Sequence, residues 1–290
     1  MKTYHLLTLL IPVCCLVSCT GPRNIYSASP FVSPVPMEKG ATAVESSYFS
    51  HARQRNVRDS VSGNHDNCFG LNLSHMLNKR TLLFAGADVK KERNQFSLNA
   101  LKDTSYPSYN AYNAGFDSSI VYTRRKTISA GIEFFFTHNR KTIHSLAASI
   151  GWHGLDMNES GLLHQSSYRR FYKMNQLSLS LQQNFLFNKT SRLKLAWVNR
   201  LIILKNLEAD TDYSPDEKLK SGLRDKGTNA LVSMIGLYAE YKPFNNVPIY
   251  INGHLFNDLI AWNHLMADYE LGRVYVKGTG VSTGIKYIFK

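Results

Sequence analysis

Cysteine is scarce in this chain and unevenly placed. The 290 residues contain four cysteines, and three of them, Cys14, Cys15 and Cys19, lie in one apolar stretch near the start. No histidine or further cysteine follows that stretch at the spacing of metal ligands, so the sequence predicts no metal site. Cys68 is the one thiol of the later chain. An internal disulfide is therefore not expected, and Cys68 is expected to pack within a strand.

Long apolar runs and helical periodicity are also missing. After residue 19, no apolar run approaches the roughly 18 residues that indicate a membrane-spanning helix. No segment shows the helical period over more than about ten residues. These absences argue against a helical membrane protein and favour an all-β fold.

The start of the chain has the pattern of an export signal. Lys2 is followed by mostly apolar residues at 6–17, which are too few to span a bilayer and are interrupted by Pro12. Leu16–Cys19 resembles a bacterial lipobox. This resemblance implies cleavage before Cys19, a diacylglycerol on its thiol and an acyl chain on the new amino terminus. An ordinary cleaved signal peptide is the alternative.

The chain then divides into a lead and a fold. Serine and proline are frequent before residue 41 and no apolar period occurs there, which is typical of an extended tether. From residue 41 an alternating pattern repeats to the end. The predicted divisions are a lipoprotein signal peptide at 1–18, a lipid-anchored tether at 19–40 and a β-barrel at 41–290.

Apolar and polar residues alternate strictly in many segments of the later chain. In 176–187, for example, Leu177 and Leu179 lie on one face, whereas Ser178 and Ser180 lie on the other. Period two indicates strands with one apolar and one polar face. The alternation alone leaves two folds open. One is an outer-membrane barrel with its apolar face in lipid, and the other is a soluble β-sandwich or lipocalin-like barrel with that face inside.

Ten strands are predicted from these runs, and the gaps between them alternate between long and short. This order is typical of an antiparallel outer-membrane barrel with short periplasmic turns and long extracellular loops, and an even number of strands places both termini in the periplasm. Residues 141–152 would raise the number to twelve if they added two strands. The predicted strands are 41–51, 67–77, 80–90, 111–124, 126–138, 167–187, 191–205, 228–242, 247–259 and 272–289.

The end of the chain favours the membrane barrel. Ser282, Gly284, Tyr287 and Phe289 resemble the C-terminal signal that the barrel-assembly machinery reads, although Lys290 follows the last aromatic residue. Other aromatic residues near predicted strand ends are expected to form girdles at the two membrane interfaces.

The whole pattern resembles the lipid-anchored outer-membrane β-barrels of Bacteroidota. The lipobox, the lead ending in Pro36–Gly40 and the closing aromatic strand carry the resemblance. It implies an integral outer-membrane protein with outer-membrane lipids, lipopolysaccharide, the barrel-assembly machinery and the lipoprotein-sorting machinery as partners. It implies no catalytic residue, and no cofactor beyond the covalent lipid on Cys19. Acidic residues do not follow Cys19, which favours an anchor in the inner leaflet.

The chain is basic, with 34 Lys and Arg against 21 Asp and Glu and a formal net charge of +13. Nucleic acid is not an expected partner, because nucleic-acid-binding motifs are missing and the chain is exported. Lipopolysaccharide phosphates are the expected anions, since Arg holds phosphate with two hydrogen bonds. A merely solvated loop surface is the alternative. The cations expected near the outer rim are Arg53, Arg55, Arg58, Lys90, Lys91, Arg93, Arg169 and Arg170.

The predicted function is that of a structural or interaction barrel without catalysis, with its loops displayed outward. Barrels of about eight to ten strands have interiors filled by side chains, whereas open channels appear at about 16. A small pore or transporter is the alternative, followed by a soluble lipid-binding barrel and a rim hydrolase. The ingredients for a hydrolase are His138, His144, His153 and His164, in or beside a predicted loop at 139–166.

Overall fold

Ten antiparallel strands form a closed barrel in which each strand pairs with its neighbours along the chain and β1 pairs with β10. The computed structural model describes residues 33, 35–52, 65–97, 116–137, 142–163, 166–188, 192–212, 230–262 and 278–289. The prediction of an all-β barrel of ten strands is confirmed. The strands are β1 (Thr42–Ala52), β2 (His65–Asn78), β3 (Thr81–Ser97), β4 (Phe116–Thr137), β5 (Thr142–Leu163), β6 (Ser166–Asn188), β7 (Leu193–Asp212), β8 (Ala230–Tyr241), β9 (Ile249–Trp262) and β10 (Gly278–Phe289).

The apolar face of the strands points out of the barrel. On β6, Leu179 is 52% exposed and Leu181 is also exposed, whereas Ser178, Ser180 and Gln182 are buried in the interior. β2 and β10 have the same polarity, with large apolar side chains outside and small or polar ones inside. This arrangement is the one predicted for a barrel in lipid, and it is the opposite of the one expected for a lipocalin-like barrel.

The middle of the chain departs from the sequence prediction. β4 runs without interruption through Arg125, where a turn was expected, because Arg125 faces the interior and is opposite Lys90 on β3 and Leu155 on β5. The two strands expected at 111–124 and 126–138 are therefore one strand. β5 lies where a long loop was expected, and this missed strand keeps the number at ten.

The short connections collect at one end of the barrel. β2–β3, β4–β5, β6–β7 and β8–β9 are joined there, and we call it the turn end; the opposite end is the loop end. The predicted alternation of gap lengths fails once, since β5 ends at Leu163 and β6 already begins at Ser166. Among the residues described, no helix is long and apolar enough to span a bilayer.

The last strand closes the barrel. Its residues Thr279–Phe289 pair along the whole of β1, from Ala52 to Thr42. Tyr287 and Phe289 point outward at the turn end, with ring centroids 6.1 Å apart, whereas Ser282 and Gly284 point inward. Closure leaves no free edge between the first and last strands, so their backbone groups are hydrogen-bonded within the sheet.

Candidate functional site in the barrel interior

A hydrogen-bonded set of polar side chains lies along the inner wall of the barrel from β4 to β6. Glu133 is buried, and its Oε1 accepts hydrogen bonds from Ser145 Oγ at 2.5 Å and from Asn184 Nδ2 at 2.9 Å. Gln182 Nε2 donates to Asn184 Oδ1 at 2.9 Å. These four residues occupy inward positions on three neighbouring strands, so the strand alternation brings them together. A buried carboxylate requires such partners, because an unpaired one is costly to remove from water.

The polar set continues toward the loop end. Ser149 Oγ lies 2.7 Å from Ser180 Oγ, and His153 Nε2 lies 2.7 Å from Ser178 Oγ. The other ring nitrogen of His153 is 3.1 Å from Thr127 Oγ1. These hydroxyl and imidazole groups hydrogen-bond to each other across β4, β5 and β6, which makes this wall of the interior a structural network.

A second cluster contains a buried ion pair and lies toward the turn end. Lys286 on β10 donates to Glu240 Oε2 on β8, and Tyr238 OH donates to the same oxygen at 2.7 Å. Lys194 Nζ on β7 lies 3.7 Å from Glu240 Oε1. Glu45 on β1 accepts a hydrogen bond of 2.9 Å from Asn252 Nδ2 on β9. The cluster therefore ties together five strands around the seam where the barrel closes.

Further ion pairs lie nearer the loop end. Lys90 Nζ is 2.8 Å from Glu92 Oε1, and Arg125 Nη2 is 3.8 Å from Asp88 Oδ1. Cys68 is buried and its thiol donates to Asp88 Oδ1 at 3.7 Å, so it packs within a strand as expected. Five acidic and five basic residues occupy the inward strand positions whose side chains the structure describes. They are Glu45, Asp88, Glu92, Glu133 and Glu240, and Lys90, Arg125, Lys194, Arg200 and Lys286.

The segment before β1 also lies inside the barrel. Ser33 Oγ is 2.8 Å from Tyr238 OH and accepts a hydrogen bond of 3.2 Å from Lys286 Nζ. Val35 is 3% exposed and belongs to an apolar cluster with Phe49 and other interior residues, while Met37 packs on a second cluster. We call residues 33 and 35–40 the N-terminal segment.

A tight turn directs the N-terminal segment into the interior. The amide of Ala41 donates to the Glu38 carbonyl at 3.0 Å, which closes a four-residue turn with Gly40 at its third position. Gly40 has a φ of 79°, the conformation that this position of a type II turn requires and that glycine adopts without strain. The Gly40 amide donates to the Met76 carbonyl at 2.8 Å, which fixes the turn to β2.

Apolar side chains also occupy the interior. The first apolar cluster includes Phe49, Ile202 and Phe256, and the second includes Leu82 and Phe135. Phe49 and Phe256 stack with ring centroids 5.0 Å apart. Within the described part of the chain, no group of three or more His, Cys, Asp or Glu side chains is placed to hold a metal ion. The arrangement favours a packed, charge-balanced core over a channel.

The residues singled out in the sequence do not form one site. Arg169 is exposed, and its guanidinium carbon lies 4.7 Å from the centroid of the Phe171 ring. Arg170 is part of β6. His153 lies in the interior, whereas His144 points outward and packs edge-on against Phe185 at 4.7 Å, so these two histidines are not brought together. Outside the described residues lie Cys19, Arg53, Arg55, Arg58, His138 and His164.

The interior charges were not singled out as a site by sequence reasoning. Glu133 stands between Ile132 and Phe134, and Lys286 stands between Ile285 and Tyr287. In a strand, a charged residue between two outward apolar residues lies on the opposite face. Such a charge therefore indicates an inward position. The sequence does not show which charges meet, because the partners come from strands far apart in the chain.

No protein-family model and no curated protein matches the chain. Solved structures do. The translocator domain of the autotransporter NalP from Neisseria meningitidis is 12% identical with a TM-score of 0.51, over 87% of this chain and 90% of that one. The outer-membrane protease OmpT from Escherichia coli is 10% identical with a TM-score of 0.45, over 89% and 99%. The likeness to the NalP domain concerns the fold, and the fold of this chain is that of an outer-membrane β-barrel.

Proposed function

We propose that the protein is a non-catalytic barrel of the outer membrane with a closed interior, which displays its loops outward and acts through them as a structural or interaction protein. One observation carries the proposal: the barrel has an apolar exterior and an interior filled by its own side chains and by the N-terminal segment. The apolar exterior suits lipid, and an interior occupied by buried side chains favours a barrel that does not conduct.

The orientation follows the usual rule for such barrels, with the turn end in the periplasm and the loop end outside. Both termini are then periplasmic. Residues 1–18 are a lipoprotein signal peptide in this proposal, and Cys19 carries the diacylglycerol and acyl chain. A dozen extended residues reach about 40 Å, which is enough for residues 20–32 to connect a lipid in the inner leaflet to Ser33 in the barrel.

Within this proposal, the boundary between tether and barrel lies before residue 33 and not at residue 40 as predicted. The tether at 19–40 was expected to be extended, but its described part packs inside the barrel at Ser33 and Val35. We therefore propose that a lipid-anchored tether precedes residue 33 and that the N-terminal segment belongs functionally to the barrel. Such a segment gives the lipid anchor and the barrel a direct mechanical connection.

Several partners belong to the same proposal. The barrel-assembly machinery would read Ser282, Gly284, Tyr287 and Phe289, and the lipoprotein-sorting machinery would deliver a chain acylated on Cys19. Outer-membrane lipids and lipopolysaccharide would surround the barrel. The proposed lipopolysaccharide contacts of the outer rim are Arg53, Arg55, Arg58, Arg169 and Arg170.

Two measurements on the intact protein test the proposal. Protein extracted from outer membranes should migrate faster on gels before boiling than after, as folded barrels do. In planar bilayers, the same preparation should give no steady single-channel steps. Unshifted mobility of a protein found soluble would contradict the membrane barrel, and steady conductance steps would contradict the closed interior.

A small pore is the second candidate, and one observation favours it. Part of the closure comes from the N-terminal segment, which is not a strand and which hydrogen-bonds to the wall through the side chain of Ser33. If this segment left the barrel, the polar wall around Glu240 and Lys286 would face the lumen. Conductance that appears in wild-type protein only after the segment is displaced would support this candidate.

A further inference from the structure

Four cations lie together on the outer surface of β3 and β4. Lys91 and Arg124 are directly opposite each other in the strand register, and Arg93 and Lys126 are the next outward positions on the two strands. Directly opposite residues of an antiparallel pair have their Cβ atoms only about 5 Å apart, and like charges in such positions are destabilising. We call Lys91, Arg93, Arg124 and Lys126 the outer basic cluster.

The adjacent inward pair also places two like charges opposite each other, but there each charge has a counter-ion. Lys90 and Arg125 are also directly opposite, but they point into the barrel, where they are 0% and 3% exposed. Each has a carboxylate of the chain beside it, Glu92 for Lys90 and Asp88 for Arg125. The inward pair of like charges is thus neutralised by the protein itself.

The outward pair forms no salt bridge with a carboxylate among the described side chains. None of the ion pairs that these side chains form includes Lys91, Arg124 or Lys126. Asp156 on β5 is opposite Arg124, but no salt bridge joins the two. The cluster therefore carries an excess of positive charge on a surface where an external anion can reach it.

The position of the cluster relative to the apolar surface identifies the kind of anion. On β4 the outward residues from the turn end are Phe136, Phe134, Ile132, Ala130 and Ile128, and Lys126 is the first charged one. At about 3.4 Å per residue and a tilt of about 40°, Lys126 lies about 25 Å from Phe136 along the barrel axis, which is the usual height of the lipid-facing band. The cluster thus lies at the loop-end margin of that band, at the depth of lipid head groups.

Aromatic side chains complete the surface. Arg93 lies over the Tyr122 ring, with its guanidinium carbon 5.8 Å from the ring centroid. On β2, Phe69 is exposed beside Val89, and Tyr48 OH donates to Asn67 Oδ1 at 2.5 Å. An exposed apolar wall that ends in cations and aromatic rings suits an amphiphile with acyl chains below and phosphates above.

We propose that the outer basic cluster is a binding site for the phosphates of a glycolipid of the outer leaflet, with the acyl chains lying against β2–β4. This deepens the proposed function and depends on its orientation of the barrel. It also refines the expectation from the sequence: Lys91 and Arg93 belong to the site with Arg124 and Lys126, whereas Lys90 does not, because it points inward.

The test titrates purified, folded protein in detergent micelles with diphosphorylated lipid A. Lys91→Gln combined with Arg124→Gln should weaken binding at least about tenfold, which corresponds to the loss of about one charge-assisted hydrogen bond. The matched control is Lys79→Gln combined with Arg80→Gln. This control removes one Lys and one Arg from exposed positions in the turn between β2 and β3, at the turn end, and should leave binding unchanged. The exchange of Lys91→Arg and Arg124→Lys should keep the affinity.

Two further ligands identify the source of the phosphate. Dephosphorylated lipid A should bind at least about tenfold more weakly than the diphosphorylated form, by the same hydrogen-bond argument. Inorganic phosphate should not compete, since it lacks the acyl chains. Equal affinity of wild type and Lys91→Gln/Arg124→Gln, equal losses in both double variants, or competition by inorganic phosphate would each overturn the site. Heat-modifiable mobility, measured on every variant, reports separately on the proposed barrel.

Discussion

Inward-facing charges of the barrel include a buried ion pair whose two members need each other. Lys286 and Glu240 are both buried and contact each other next to the strand pair that closes the barrel. A buried ion pair of this kind contributes little net stability compared with an apolar pair of the same shape. The loss of one partner is different, because the other charge then remains buried without its nearest counter-ion.

This asymmetry gives a double-variant prediction. Lys286→Met should lower the free energy of unfolding by about 3–5 kcal/mol, since Glu240 then keeps the hydrogen bond from Tyr238 but has Lys194, 3.7 Å away, as its remaining cation. Adding Glu240→Gln should recover most of the loss. The measurement is urea unfolding of protein refolded into lipid vesicles. A single variant as stable as wild type, or a double variant no better than the single one, would contradict the buried pair.

Gly131 is a position where a side chain of the interior approaches the barrel wall closely. A Cβ at this inward position would collide with the Ala148 carbonyl oxygen and the Phe84 ring and would lie 2.7 Å from Ser149 Cβ. Gly131→Ala should therefore destabilise the barrel by about 1–3 kcal/mol, the usual cost of overpacking. Gly253→Ala is the matched control, because its Cβ would meet only the Ser282 carbonyl oxygen, at 3.4 Å. Equal stability of the two variants in vesicles would show that the wall yields at Gly131.

At the scale of elements, the sequence predicts most strands well and fails at β4 and β5. β6 over 177–187 and β10 over 281–289 carry large apolar residues at most outward positions, so their period is plain. Arg124–Lys126 breaks that pattern on β4 because the outward residues there have already left the apolar band. β5 has small residues such as Ala147, Ala148 and Gly151 on its two faces, which weakens the contrast between them. The length of β4 and the presence of β5 follow from pairing with long neighbouring strands. The local sequence pattern does not show this pairing.

The position of the N-terminal segment inside the barrel is not predicted by any sequence pattern. Its proline and serine content is typical of a tether, and nothing local indicates that Val35 joins a cluster with Phe49 or that Ser33 meets Tyr238. The contacts of Ser33 with Tyr238 and Lys286 bridge residues more than two hundred positions apart in the chain. Such contacts arise only once the barrel has closed.

A charge in the N-terminal segment tests whether it closes the interior. Val35→Asp should expel the segment, because an unpaired carboxylate cannot replace an apolar side chain that is 3% exposed without a large desolvation cost. Planar-bilayer recordings should then show conductance steps that wild type lacks. Lys39→Asp, an exposed position in the same segment, is the control and should stay silent. Silent Val35→Asp protein that remains folded by gel mobility would mean that the strand side chains alone close the barrel.

At the scale of the whole molecule, the chain is built inside out relative to a soluble protein. Large apolar side chains cover the exterior, whereas the interior combines hydrogen-bonded polar side chains with two apolar clusters. The alternation alone predicts two faces but not which of them is inside, because both kinds of barrel alternate. The motif at the end of the chain is what favours an apolar exterior. The sequence predicts the outer cations only in part, since Lys90 and Lys91 differ by one position and point in opposite directions.

A single charge on the exterior tests this polarity directly. Leu179 is 52% exposed and lies within the apolar band of β6, so Leu179→Arg should cost about 2–4 kcal/mol in a bilayer. Ser167→Arg, outward and exposed near the loop end of the same strand, should cost at most about 1 kcal/mol. Urea unfolding in lipid vesicles measures both. On a water-soluble barrel, Arg at either exposed position would be harmless, so equal and negligible effects would contradict a lipid-facing exterior. A loss confined to Leu179→Arg is expected only if that surface lies in hydrocarbon.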